Sequence, residues 1–266
     1  MLLNALFVSM NQLIEEYKRE GLTLVDPHCH SRFSDGSVHP DKMLAHAKNK
    51  GFNIIFMDHN DIRAVQKHHR EMDCAVPGVE ITSSTYADFL LYFYNLSELE
   101  EYYKKNVEPN KISNNLFNFN RTTLTNEELL LAPENYNCRV VLPHSHGLKP
   151  KNSFVFFDNN PHLLKHITAA ESHNSALRMD RNVLMKEWVK KHNLPTIVGS
   201  DAHVLETLGS ALVAVDEFSV NSFVDSLDKE KRMIVNHPHR KHMRKSSYHI
   251  FKNNLGLRRE YGFRFR

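Results

Sequence analysis

Six short, apolar, β-rich runs in this 266-residue chain each end on a histidine, aspartate or glutamate, and that pattern most restricts the fold. Leu22–Val25 leads into Asp26, His28, Cys29 and His30, then Asp35-Gly36. Asn53–Met57 leads into Asp58-His59-Asn60-Asp61, and Ala75–Val79 into Glu80. Val140–Pro143 precedes His144 and His146, Ile167–Ala170 precedes Glu171-Ser172-His173-Asn174, and Thr196–Ser200 precedes Asp201-Ala202-His203. Amphipathic helical stretches separate the runs, which predicts an α/β fold with parallel strands. In barrels of that class the reacting groups come from the C-terminal ends of several strands and meet on one rim. His28/His30 and Asp201/His203 are two residues apart, so on extended backbone both members of each pair face one side. Cys29 and Ala202 face away and are small enough to pack under helices. Any one of these residues alone would be an ordinary cap or turn residue. Six coincident strand-end clusters point to metal binding instead.

The donor types narrow the ion. Histidine, the commonest protein metal ligand, is enriched to 18 copies. Imidazole with carboxylate and no thiolate suits Zn, Mn or Fe better than Ca or Mg. So many donors could hold two ions ~3.5–4 Å apart, a spacing that activates water and clamps phosphoryl oxygens.

The remaining segments divide into three parts. Residues 1–21 form an N-terminal helical lead: the apolar start MLLNALFVS has no basic n-region or cleavage site, and a helix follows over Asn11–Glu20. Residues 22–237 carry the barrel pattern. Within it, Pro40–Lys50 reads as a helix closed by Gly51, and Asp180–His192 as a helix with Val183, Leu184, Trp188 and Val189 on one face. Residues 97–137 have no strand-like run and contain the capping box Thr125–Glu128; they read as a helical insertion, either a substrate lid or a connecting excursion. Residues 238–266 form a basic tail with nine Lys/Arg against one acidic residue, interleaved with Tyr248, Phe251, Tyr261, Phe263 and Phe265. Aromatics among cations suit single-stranded nucleic acid, but a short charge run is more often a solvated face with its aromatics docked on the body, and that reading is preferred. An anionic membrane surface is a weaker option for it. Cys29, Cys74 and Cys138 suggest reduced thiols in a cytoplasmic protein, and no run approaches a membrane span.

Taken together, His28-Cys29-His30 with Ser34-Asp35-Gly36, Met57-Asp58-His59, Pro77-Gly78-Val79-Glu80, His144, Glu171-Ser172-His173-Asn174 and Gly199-Ser200-Asp201-Ala202-His203 resemble the polymerase and histidinol phosphatase (PHP) superfamily of metal-dependent phosphoesterases. The order and spacing agree over about residues 22–215. The resemblance implies a distorted seven-stranded (β/α) barrel with up to three metals. One ion would take His28, His30, Glu80 and Asp201, and a second Asp35, His59 and His203. A third would share Glu80 with His144 and one more histidine, but Leu90 or a neighbour stands at that place. The implied cofactors are therefore two divalent ions, with a third site short of one ligand that His146 is a weak candidate to replace. The implied chemistry is attack on phosphorus by a metal-activated hydroxide. Asp58 and Glu171 are the candidate catalytic-site carboxylates, in the role of orienting ligands or substrate. Arg32 and Arg178 are candidate phosphate contacts, with His146 as a further substrate-side residue.

The function expected is hydrolysis of the phosphate ester of a small metabolite or nucleotide. The alternatives are a nuclease that grips its strand with the tail, and a non-catalytic metal-binding or partner-binding module.

Overall fold

The computed structural model describes residues 10–69, 75–112, 121–148, 151–236, 238 and 241–250. The apolar lead 1–9, Cys74 and the tail aromatics Phe251, Tyr261, Phe263 and Phe265 lie outside the described residues. Among the described residues the chain runs α1 (Met10–Arg19), β1 (Thr23–Cys29), α2 (Pro40–Lys50), β2 (Asn53–Phe56), α3 (Arg63–His69), β3 (Gly78–Thr82), β4 (Asp88–Phe93), α4 (Leu96–Tyr102), α5 (Asn126–Leu131), β5 (Cys138–Leu142), α6 (Phe154–Asn159), β6 (Ala169–Asn174), α7 (Met179–Lys191), β7 (Thr196–Gly199), β8 (Ala211–Val215), α8 (Val220–Ser226) and β9 (Arg232–Val235).

The fold is mixed α/β with two sheets, ordered β2-β1-β8-β9 and β3-β4-β5-β6-β7. β1 and β2 run parallel, as do β5, β6 and β7, in the expected manner. The all-parallel expectation fails at β4, which is antiparallel to β3 and β5, and at β8, antiparallel to β1. The connection explains the first case. Residues 83–87 join β3 to β4 as a tight turn with Tyr86 at φ 70°, whereas a parallel crossover needs a dozen residues or more. A continuous seven-stranded barrel is not formed either. Between the sheets the strand ends meet at the isolated bridges Cys29–Ala202 and His59–Glu80. Those bridges still draw the C-terminal ends of β1, β2, β3 and β7 together.

β4 is buried on both faces, so its sequence Asp88–Phe93 shows little polar alternation. Phe89, Leu91 and Phe93 pack outward with Leu99, Tyr102 and Trp188. Leu90 and Tyr92 turn inward against Val25, Ile55, Val141, Ile197 and Val213. Cys29 and Ala202 pack with Ile14 of α1 and Met43 and Ala47 of α2, on the side away from His28 and His30. α2 has Pro40 in its first turn and closes on Gly51 at φ 82°, whose N–H bonds the carbonyl of Ala47. The predicted inner face of α7 is rotated: Asn182, Met185, Trp188 and Val189 are buried, while Val183 and Leu184 are exposed. Asn182 causes this by turning inward to accept the backbone N–H of Asn174 and donate to its carbonyl.

The insertion carries the predicted capping box at Thr125 and Glu128, opening α5. It is pinned to the end of β3, where Thr122 donates both its N–H and its hydroxyl to the Thr82 carbonyl. Of the basic tail, residues 241–250 are helical, Lys245 pairs with Glu206, and Tyr248 is exposed. Among the described residues no helix is long and apolar enough to cross a membrane.

Phe89 is fully buried and packs edge-on against Phe157. Phe89→Ala should lower the unfolding free energy in urea by about 3–5 kcal/mol, the usual cost of an aromatic-to-alanine cavity. Leu184→Ala, at 46% exposure, should change it by no more than about 0.5 kcal/mol.

Candidate metal centre

The strand-end residues converge into three overlapping donor groups: His28, His30 and Glu80; His30, Asp35, His59 and His203; and His59, Glu80 and Asp88, all buried. Asp201 joins the first group, with Oδ1 3.1 Å from His30 Nε2 and 3.7 Å from His28 Nε2. In that group His28 Nε2 lies 3.0 Å from His30 Nε2, and Glu80 Oε2 lies 3.2 Å from His30 Nε2 and 3.5 Å from His28 Nε2. In a tetrahedral site with bonds of about 2.0–2.2 Å, ligand atoms stand roughly 3.3–3.6 Å apart. The separations of the four donors, 3.0–3.7 Å, bracket that spacing. Glu80 Oε2 is buried without a hydrogen-bond partner, as is His30 Nδ1, which is what atoms reserved for an ion look like in its absence. In the second group His203 Nε2 is 3.1 Å from Asp35 Oδ1 and His59 Nε2 is 3.8 Å from Asp35 Oδ2. His30 stands between the two groups, its Nε2 among the first and its ring stacked on His59 and His203 of the second.

Supporting bonds fix which imidazole nitrogens face inward. Glu171 Oε1 lies 2.8 Å from His28 Nδ1, which places the His28 proton there and leaves Nε2 for the donor group. The same carboxylate accepts the backbone N–H of His144 and the side-chain amide of Asn174, at 2.9 Å each. His203 Nδ1 is 2.9 Å from the Asp201 carbonyl, so its Nε2 is likewise the inward atom. Asp58 accepts from Ser31 N–H, the Ser31 hydroxyl and the Ser34 hydroxyl at 2.6–2.7 Å, tying the loop that carries Asp35 to the end of β2. Both carboxylates thus position ligand-bearing segments. Gly199 lets Glu171 in: a β-carbon there would stand 2.1 Å from Glu171 Oε1 and 2.8 Å from His28 Cβ.

Burial disfavours charge on His28, but Glu171, Glu80 and Asp201 overcome it and raise its pKa well above the ordinary value. The same contest at His30, won by the neighbouring Asp201 and Glu80 carboxylates, pushes it up to about 10. Burial also works against the Glu80 carboxylate, yet His59 and His28 hold its pKa well below the usual range. Burial prevails at His59, pushed down to about 4, and at Asp58, pushed up to about 6.

The substrate-side candidates stand apart from the donors. His146 lies flat on Phe154, with ring centroids 4.2 Å apart, and edge-on to Trp188. Arg178 is 79% exposed and bonds Asp180. Arg32 is exposed on the loop after His30. Two residues that sequence reasoning overlooked do reach the centre. Asp88 lies two residues before Leu90, hence on the same face of β4, and its Oδ2 is 3.6 Å from His144 Nε2. Lys151 Nζ lies 2.8 Å from the same oxygen. The two-residue alternation could have revealed Asp88; nothing in the local sequence marks Lys151.

Residues 180–231 match the family described as PHP-associated. A relative in Methanocaldococcus jannaschii, an uncharacterised protein, is 26% identical over 211 residues, covering 77% of this chain and 76% of the relative. The fold is similar to that of a lesion-specific endonuclease from Pyrococcus furiosus, with a TM-score of 0.62 and 18% identity over 80% of this chain and 57% of the endonuclease. It is also similar to a two-domain protein from Bacteroides vulgatus containing a predicted PHP-like metal-dependent phosphoesterase, with a TM-score of 0.53 and 18% identity over 82% of this chain and 66% of that one.

Glu171→Gln should weaken divalent-ion affinity about 10–100-fold in a chelator-competition titration, the usual effect of loosening a ligand's hydrogen-bond partner. Ion uptake should also expel protons. With the His30 pKa at about 10, that ring keeps its proton at neutral pH, so an ion must displace it. Mn²⁺ affinity should therefore rise with pH through the neutral range, and calorimetry in buffers of different ionisation enthalpy should report proton release.

Proposed function

We propose, from the geometry of its donor groups, that the chain is a metal-dependent hydrolase of phosphate esters of the PHP superfamily, acting on a small phosphorylated metabolite or nucleotide with two ions of Zn, Mn or Fe. The observation that carries this reading is that two donor groups, one of His28, His30, Glu80 and Asp201 and the other of Asp35, His59 and His203, meet at the Glu80 carboxylate, whose Oε2 lies 3.2 Å from His30 Nε2 and 3.3 Å from His59 Nδ1. Groups joined through one residue would hold their ions side by side. When bound, such ions would supply polarisation of phosphoryl oxygens and a bound water with its pKa brought toward about 7.

The chain's own part is to orient and exclude. Glu171 keeps the proton on His28 Nδ1, Asn174 steadies both Glu171 and Asp201, and Asp58 holds the 31–35 loop in place. Leu90, fully buried, faces Glu80 across the β3–β4 ladder, so that this side of the centre is apolar and the charges of the donors count for more there. Arg32, exposed on the same loop as Asp35, is the candidate cation for a phosphate arriving from solvent.

A nuclease is the second reading, favoured by the likeness to the P. furiosus endonuclease and by the cationic helix over residues 241–250. The two readings separate by experiment. Loaded with Mn²⁺ or Zn²⁺, the protein should release phosphate from 4-nitrophenyl phosphate. The double variant Asp201→Ala, His203→Ala should cut kcat/KM by more than about 10²–10³-fold, the loss from removing one transition-state contact. Undiminished turnover in that variant would refute the assignment. Removal of residues 238–266 should leave small-ester hydrolysis intact; if the chain is instead a nuclease, it should abolish salt-dependent polynucleotide binding.

A further inference from the structure

The third donor group differs from the other two in having a cation already in it. Asp88 is 2% exposed and faces Thr82 across the β3–β4 ladder, just as Leu90 faces Glu80, so Asp88 shares the inward face of these strands. Its two oxygens have separate partners. The Thr82 hydroxyl donates to Oδ1. Oδ2 is 2.8 Å from Lys151 Nζ and 3.6 Å from His144 Nε2, which in turn stands 3.2 Å from Glu80 Oε1. Leu90 packs into the apolar interior, and among the described residues of β4 only Asp88 offers the centre a donor.

We infer that Lys151, held by Asp88, fills the place of a third ion with a fixed ammonium group, so that the chain loads two ions and not three. The inference rests on the metal-dependent reading proposed above. A third ion would have to draw on Glu80, on His59 or His144, and on the one oxygen of Asp88 that Thr82 does not occupy. Lys151 sits on that oxygen, and an ammonium and a divalent ion sharing one buried carboxylate oxygen repel each other. The exchange keeps a positive charge at this edge of the centre for a phosphoryl oxygen, but as a point charge with hydrogen-bond donors and without the capacity to ionise water.

The number of ions is the readout, and it does not depend on turnover. The full chain is titrated with Mn²⁺, and free ion is followed by electron paramagnetic resonance. Two sites are expected in the wild type and in Lys151→Arg, which keeps the charge. Three are expected in Lys151→Ala and Lys151→Met, which remove it, and either variant suffices if the other fails to fold. Three sites in the wild type, or two in the charge-removing variants, would overturn the role given to Lys151 while leaving the hydrolase reading intact. Fewer than two in the wild type would refute the two-ion hydrolase reading itself, and this inference with it.

Discussion

Everything at this centre depends on one buried carboxylate. Glu80 is fully inaccessible, and its Oε2 stands 3.2, 3.3 and 3.5 Å from nitrogens of His30, His59 and His28. An unpaired charge so deep would cost several kcal/mol even after relaxation, and the surrounding imidazoles offset that cost electrostatically. Their arrangement demands that the ends of β1, β2 and β3 come within a few ångströms of one another. The isolated bridges Cys29–Ala202 and His59–Glu80 are where the backbone meets that demand. The price is local strain: Asn60, His144 and Asp201 all take positive φ without being glycine. Such conformations cost about 1–3 kcal/mol each and persist only where neighbouring bonds over-determine them. Here they are over-determined, because Glu171 accepts the His144 N–H, the His28 carbonyl accepts the Asp201 N–H, and the Glu80 carbonyl accepts the Asn60 N–H.

Much of the site was legible in the sequence because its donors follow strand ends. A run of Val, Ile and Leu that stops at a polar residue marks both a buried strand and the point where the chain emerges from it, so His28, His59, Glu80, His144 and Asp201 could be placed on one rim before any coordinates. The antiparallel pairings were not legible. β4 is covered on both faces, so Asp88–Phe93 carries no alternation from which to read its direction, and its orientation is set by the turn at Tyr86 instead. The same lack of alternation hides Asp88, which lies two places before Leu90 on the same face but at the polar start of an otherwise apolar run. α7 was misread for a related reason. Its apolar residues spread around the helix, and a buried polar pair, Asn174 with Asn182, chose which side turned inward.

The insertion bears on the centre through the backbone. Tyr103 Oη and Lys111 Nζ both donate to the Asn60 carbonyl at 2.9 Å, and Lys111 also lies 3.0 Å from Tyr103 Oη. Asn60 follows His59 directly and is one of the strained positions. Its N–H goes to Glu80 and its side-chain oxygen accepts from Thr82 at 3.3 Å, so the residue is clamped from β3 on one side and from the insertion on the other. A segment that merely connected β4 to β5 would have no need to place a lysine and a tyrosine on one carbonyl beside a donor residue. Through this clamp, the insertion helps set the position of the His59 imidazole, which both the second and third donor groups require. The segment read from sequence as either a lid or an idle excursion is thus part of the frame that holds the centre in shape.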